Sequence, residues 1–210
     1  MPSPQPLVSR APSPQAQKGV DKRGKPLLGL KNGKVTELTL FLRVKPGHEK
    51  AIREAIEAFC CSPNRDPNTP QAEKVVASTG IHEVRFVLFD NDTRLVWLTS
   101  FDADWDAYID DTVTFVGTAI YGAVLKHTVE APEGIDQPNI PNASATFKDV
   151  LNSVRINAAG LLVSNANISN VEQFRNRDVR RAFDAALKNP DAAKALQHPA
   201  LKPLLELAAD

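Results

Sequence analysis

Residues 80–111 read GIHEVRFVLFDNDTRLVWLTSFDADWDAYIDD. Two runs within this stretch, GIHEVRFVLFD (80–90) and TRLVWLTS (93–100), alternate apolar with polar side chains and are rich in β-branched and aromatic residues. That is the pattern of strands with one buried face. Asn91-Asp92 stands between them, and polar turn residues at such a junction predict a tight antiparallel hairpin. Downstream the period changes. Asp102 offers an N-cap, and Trp105, Tyr108/Ile109, Thr112/Val113, Val116 and Ala119/Ile120 recur at helical spacing, so 103–117 is expected to form an amphipathic helix.

Upstream, VTELTLFLRV (35–44) sets Leu38, Leu40, Leu42 and Val44 on one face against Glu37, Thr39, Phe41 and Arg43 on the other, which predicts another half-buried strand. Pro46-Gly47 stops it, and HEKAIREAIEAFCC (48–61) then places Ile52, Ala55, Ile56 and Phe59 on one helical stripe. SPNRDPNTP (62–70) reads as a loop. After the second helix, AVLKHTV (123–129) is expected to be extended and EAPEGIDQPNIPN (130–142) irregular. FKDVLNSV (147–154) reads as helix and INAAGLLVSN (156–165) as a fourth strand. Ser169 with Glu172 predicts a capping box for a helix to Lys188 that buries Val171, Phe174, Val179, Phe183 and Leu187. Asn189-Pro190 ends that helix, and two short helices close the chain. The order β-α-β-β-α-(insert)-β-α is the split βαβ plan. The fold expected is therefore α+β, a ferredoxin-like four-stranded antiparallel sheet with helices on one face, an inserted loop and helix before the last strand, and a helical C-terminus.

Composition agrees with one domain spanning 35–210 behind a tail. The chain has 210 residues, 42% of them apolar, with 25 Lys+Arg balanced by 25 Asp+Glu, enough for one sizeable core and unlike a disordered or disulfide-stapled chain. The neutrality is uneven. Residues 1–34 hold Arg10, Lys18, Lys22, Arg23, Lys25, Lys31 and Lys34 against Asp21 alone, together with six of the 16 prolines, and read as a flexible basic tail. The remainder is correspondingly acidic, which argues against a nucleic-acid-binding body. No apolar run approaches the roughly 20 residues of a membrane span, and no signal peptide is read at the start, so a cytoplasmic protein is expected. Cys60 and Cys61 are adjacent, poor geometry for a bridge, and no Cys/His spacing suggests zinc.

If the Leu-rich faces of the strands pack on the helices, the face left over carries Glu37, Thr39, Phe41 and Arg43 from one strand and Glu83, Arg85, Val87 and Phe89 from another. Charge mixed with exposed aromatics implies a cover, either a second copy of the sheet or a ligand. Alternation counts His82 with Val84, Phe86 and Leu88 on the helix-facing side, at a strand end where it could serve as base or ligand. Arg85, on the opposite side, could clamp a carboxylate or pair with Glu37 or Glu83. His127 could converge with His82 on one end of the sheet. Arg43, Glu83, Phe41 and Trp97 complete the candidate substrate-binding set, and a closed cavity lined by His82, Arg85 and Trp97 would mark an enzyme or ligand carrier. Trp97 and Trp105 otherwise read as core or dimer-contact residues. His48 and His198 have no visible partner. The acids Asp102, Asp104, Asp106, Asp110 and Asp111 read as a response to the helix dipole, with no metal site assigned. Arg175, Arg177, Arg180 and Arg181, interleaved with acids, read as a solvated helix face.

The block at 80–111, with the PGHEKAIREAI helix start, resembles the ferredoxin-like dimeric α+β-barrel superfamily, which includes antibiotic-biosynthesis-monooxygenase-type, chlorite-dismutase-type and dye-decolorising-peroxidase-type proteins. His82, Arg85, Ser100, Phe101, Asp102, Trp105, Tyr108, Ile109, Asp110 and Asp111 carry the resemblance, which covers roughly residues 35–130 and is similar to an uncharacterised bacterial branch. It implies the fold and a homodimer. It leaves the cofactor unknown: some members bind haem, and others oxidise, decarboxylate or do no known chemistry on the same scaffold.

Two classes of function follow. In the first, a dimeric barrel encloses a small hydrophobic or anionic substrate for cofactor-independent oxygenation or isomerisation, with His82 or His127 as acid/base and Arg85 or Arg43 steering an anionic group. In the second, the chain is a non-catalytic binding or assembly module that uses the open sheet face and the basic tail.

Overall fold

The computed structural model of the protein describes residues 29–61 and 70–208, which form two compact units, one running through Asn167 and the other beginning at Ile168. The tail at 1–28 and nearly all of the loop at 62–70 lie outside the described residues. In the first unit β1 (Lys31–Asn32) and β2 (Val35–Arg43) precede α1 (Glu49–Cys60) and α2 (Pro70–Thr79). The hairpin strands β3 (Ile81–Phe89) and β4 (Arg94–Phe101) follow, then α3 (Trp105–Asp111), α4 (Thr118–Leu125), α5 (Ala143–Val154) and β5 (Arg155–Ile156). β4 lies between β2 and β3, and β5 pairs with the other edge of β2, every pairing antiparallel. Without the two-residue β1 the order is β5-β2-β4-β3, the split βαβ arrangement expected of a ferredoxin-like α+β fold.

The helices cover one face. Leu38, Leu40, Leu42 and Val44 of the β2 segment meet Leu95, Trp97 and Phe101 of β4, with Ile52 from α1, Trp105, Tyr108 and Ile109 from α3, and Phe147 and Leu151 from α5. Leu40, Ile52, Leu95 and Phe101 are fully buried, each side chain worth about 1.5–3 kcal/mol of transfer free energy. The hairpin loop bends through Asp90, Asn91 and Asp92, all with positive φ, a conformation that Asp and Asn tolerate because their short polar side chains bond locally.

Several elements differ from expectation. Residues 29–34, counted with the tail by composition, contribute β1 and the turn into β2. Helix α2 fills the stretch before β3, started by Pro70 and stopped by Gly80 at φ +66, which glycine adopts without a Cβ penalty. The helix expected over 103–117 is divided: α3 ends at Asp111, a π-helical turn spans Thr112–Val116, and Gly117 separates it from α4. Residues Ala123–Leu125, expected to be extended, belong to α4, and from the following stretch only Thr128 makes a bridge, to Val44. The fourth strand is two residues long. Arg155 and Ile156 pair with Leu40 and Thr39, and the rest of 156–165 is irregular, with Leu162 93% exposed.

The second unit contains α6 (Asn170–Leu187), α7 (Ala193–Leu196) and α8 (Lys202–Ala208). The Ser169/Glu172 capping box is formed, the Ser169 Oγ accepting from Glu172 N–H and the Glu172 carboxylate accepting from Ser169 N–H. Burial of the α6 stripe is not: Val171, Val179 and Leu187 are exposed. The basic residues of this helix pair with neighbouring acids, Arg180 with Asp184 and Arg177 with Asp178. No helix among the described residues is long and apolar enough to cross a membrane.

Candidate functional site

The two histidines expected to converge stand at opposite ends of the sheet. His82 is at the start of β3, beside Phe101, whereas His127 follows α4 near Val44, past the other end of β2. The 8 residues of β4 lie between those ends, roughly 24 Å at about 3.4 Å per residue. Each histidine instead has a partner of its own.

At the first end Ile81 pairs with Phe101 and Glu83 with Ser100, so a bulge at His82 adds a residue to β3. Ile81 and Val84, three apart, both pack on the core. The alternation that counted His82 with Val84 therefore does not run through the bulge. Bulges re-aim a side chain, and here the His82 Nε2 stands 2.7 Å from Asp102 Oδ1, both side chains about 15% exposed. A carboxylate only accepts, so Nε2 carries the hydrogen and donates. In the neutral ring Nδ1 then holds a lone pair, and no described residue engages it. Asp102 is itself fixed by its N–H donating to Gly80 O at 3.0 Å. A side chain at Gly80 would crowd Asp102, so one glycine both ends α2 and leaves room for the carboxylate. The N-cap role read for Asp102 belongs to Asp104.

Arg85 and Glu83 lie next along β3 on the open face, both exposed, and neither forms an ion pair among the described residues. The expected pairing of Arg85 with Glu37 is absent because Glu37 is committed elsewhere. Its Oε1 accepts from Leu30 N–H and Ala158 N–H, and its Oε2 from the Thr39 hydroxyl. Phe41 lies further along the open face, edge-on to Phe89 at 6.4 Å, and Arg43 at the far end is paired with Glu130 at 2.7 Å. Trp97 is on the other side of the sheet altogether, 4% exposed, packed against Phe86 and stacked on Tyr121 at 5.2 Å. A cavity lined jointly by Arg85 and Trp97 is therefore excluded by the sheet between them.

At the second end His48 Nδ1 and His127 Nδ1 are 3.0 Å apart. One must donate while the other accepts, which requires at least one neutral ring. Burial holds the His127 imidazole below its ordinary pKa, reinforced by Lys126, His48 and Lys45 and opposed by Asp136. The unfolded chain therefore takes up the proton first as pH falls through about 6.5, and the native state loses stability on that descent. We expect the urea midpoint to fall between pH 8 and pH 5.5, and to fall less in His127→Gln. An unchanged pH dependence in the variant would remove His127 from the account.

Three of the acids after β4 are paired with lysines. Lys148 of α5 bonds Asp110 at 2.8 Å and Asp106 at 3.4 Å, and Lys31 bonds Asp104 at 3.0 Å. Lys148 first, through its hydrogen bond, holds the Asp110 carboxyl below the usual range. No group of three or more His, Cys, Asp or Glu suited to a metal occurs among the described residues. Nor does the dyad fit a haem: Nε2 of His82 is engaged by Asp102, leaving only the ring nitrogen nearer the backbone, which a macrocycle approaches poorly. His198, read without a partner, accepts from Ala200 N–H. Cys60 and Cys61 are exposed and are not joined in a disulfide.

Sequence reasoning missed Asp102 and His48 as partners, and it missed Arg155. Hairpin register could have found the first, since it sets Asp102 beside the start of β3. Compared with known proteins, the chain matches no family model, no curated protein and no solved structure.

Proposed function

We propose that the chain is a small-molecule-binding protein whose site lies on the open sheet face around His82, and that a second copy of the chain covers that face to complete a dimeric α+β barrel. The His82–Asp102 contact carries this reading. A carboxylate that accepts from Nε2 orients the imidazole and fixes its tautomer, which leaves the lone pair of the opposite nitrogen directed at a substrate proton. Arg85, three residues beyond the bulged position and without an ion pair among the described residues, supplies a cation for an anionic group on the substrate. The chemistry this suits is proton abstraction from a carbon acid, the first step of an isomerisation or of a cofactor-independent oxygenation. In it the substrate C–H bond breaks, the proton passes to His82 Nδ1, and the electron pair stays on the substrate as an enolate.

The cover is argued from the remaining open-face side chains. Phe41, Val87 and Ile156 are each more than 40% exposed, an apolar strip beside the charged residues. The same strip favours the second reading, an assembly module without catalysis.

Native mass spectrometry distinguishes these. The protein is expected as a dimer carrying a discrete small-molecule mass, and His82→Gln as a dimer that has lost it. In Val87→Glu the added charge should give monomers. A dimer that never retains a ligand supports the module, and a bare monomer at all concentrations overturns both readings.

A further inference from the structure

Arg155 is a second cation that forms no ion pair among the described residues, and it lies on the other side of the sheet. It opens β5 opposite Leu40, whose side chain is fully buried in the core beneath the helices, and directly paired residues in an antiparallel ladder project to the same face. Its guanidinium carbon stands 5.9 Å from the ring centroid of Trp105, itself 4% exposed. That is within the range of a cation–π contact. One guanidinium nitrogen, Nη1, is buried with no hydrogen-bond partner, and no ion pair to Arg155 occurs among the described residues.

The acid that acts on Arg155 electrostatically is Glu37. It alternates with Leu38 and so points to the open face, and both its oxygens already accept hydrogen bonds, from Leu30, Ala158 and Thr39. Burial depresses the Arg155 pKa and Glu37 only partly offsets it. An arginine does not escape the cost of partial burial by losing its proton. A donor-rich, planar cation left uncompensated beside an indole ring is the arrangement that recognises a planar oxyanion.

We propose that Arg155, backed by Trp105, binds the oxyanion of a small organic acid, a carboxylate or phosphoryl group, on the helix-facing side of the sheet. The ligand's charge compensates the guanidinium, and its oxygens accept from the guanidinium N–H groups on the part of the Arg155 side chain that stays exposed. This site is independent of the His82 reading, because it uses different residues on the opposite face and requires no second copy.

The test uses the full chain, with sodium benzoate, inorganic phosphate and neutral benzamide as probes at constant ionic strength, read by tryptophan fluorescence and thermal unfolding. Benzoate or phosphate should bind saturably and raise the melting temperature, and benzamide should do neither. Arg155→Met should lose at least about tenfold in affinity, the scale of a charged hydrogen bond. Its own melting temperature without ligand should be unchanged or higher, because the charge removed is partly desolvated and has no ion pair among the described residues. Arg155→Lys, with charge but no fork, should bind more weakly than the parent. Tighter binding of benzoate marks a carboxylate site, and tighter binding of phosphate a phosphoryl site. Absence of saturable binding by both anions overturns the proposal, as does an Arg155→Met protein that melts lower or fails to fold, since the cation would then be serving the fold. Retention of anion binding in His82→Gln separates this result from the fate of the dyad.

Discussion

Replacing Phe101 by alanine is expected to destabilise the protein by about 3–5 kcal/mol, the range for deleting a large aromatic side chain from a packed interior. Phe101 is fully buried and stacks face to face on Tyr108 at 3.8 Å. It also pairs with Thr36 on one side and Ile81 on the other. The cavity would therefore open where three strands and α3 meet, among neighbours held by backbone pairing that cannot collapse to fill it. Asp102 is the next residue, so the His82 contact should loosen as well. Urea unfolding measures the loss, and Phe101→Leu, which keeps most of the volume, should recover more than half of it. A cost under about 1 kcal/mol for alanine would mean that the ring does not hold this corner together.

The second large effect is expected at Gly122, with a sign opposite to the usual one. Alanine in place of glycine within a helix ordinarily stabilises by about 1 kcal/mol. In α4, however, a Cβ at residue 122 would fall on the backbone carbonyl of Ile135, with Asp136 immediately beyond. Backbone cannot rotate away as a side chain can, so α4 must separate from the loop. Overpacking of this kind costs about 1–3 kcal/mol. Asp136 would move with the loop and take its 3.1 Å contact with Lys126 along. The variant should therefore melt lower than the parent and also show altered His127 titration by NMR. A more stable Gly122→Ala protein would show that helix and loop are not in the close contact described.

The hairpin was the part of the fold most legible in sequence, because its alternation and its turn residues both state the same thing locally. The leftover face was legible for the same reason, with Phe41, Arg43, Glu83, Arg85 and Val87 all on it. What alternation cannot announce is an inserted residue, and the bulge at His82 is the one place where the count breaks and also where the candidate chemistry lies. Helix α2, for which no element was expected, had its start and stop signals in Pro70, Glu73 and Gly80. The short fourth strand reflects a competition in which Asn157 and Gly160 weigh against an apolar stretch. The His48–His127 contact joins residues 79 apart, and the burial of Arg155 depends on where a helix end is docked. Neither that contact nor the approach of Arg155 to Trp105 leaves a local trace.

The place of Glu37 has a consequence in time. The hairpin contact between Thr99 and Glu83 closes over 16 residues, whereas the Glu37 carboxylate reaches Ala158 across 121. Chain-closure entropy grows with the logarithm of that separation, so the later contact starts about 2 kcal/mol behind. The hairpin can then form early, and β2 must wait between it and a short segment from far downstream. Until that segment arrives, the outer edge of β2 presents unpaired backbone groups to any passing strand. Refolding should accordingly be slower than the helical content suggests, and its slow step should carry the sensitivity to protein concentration that marks competition between folding and aggregation.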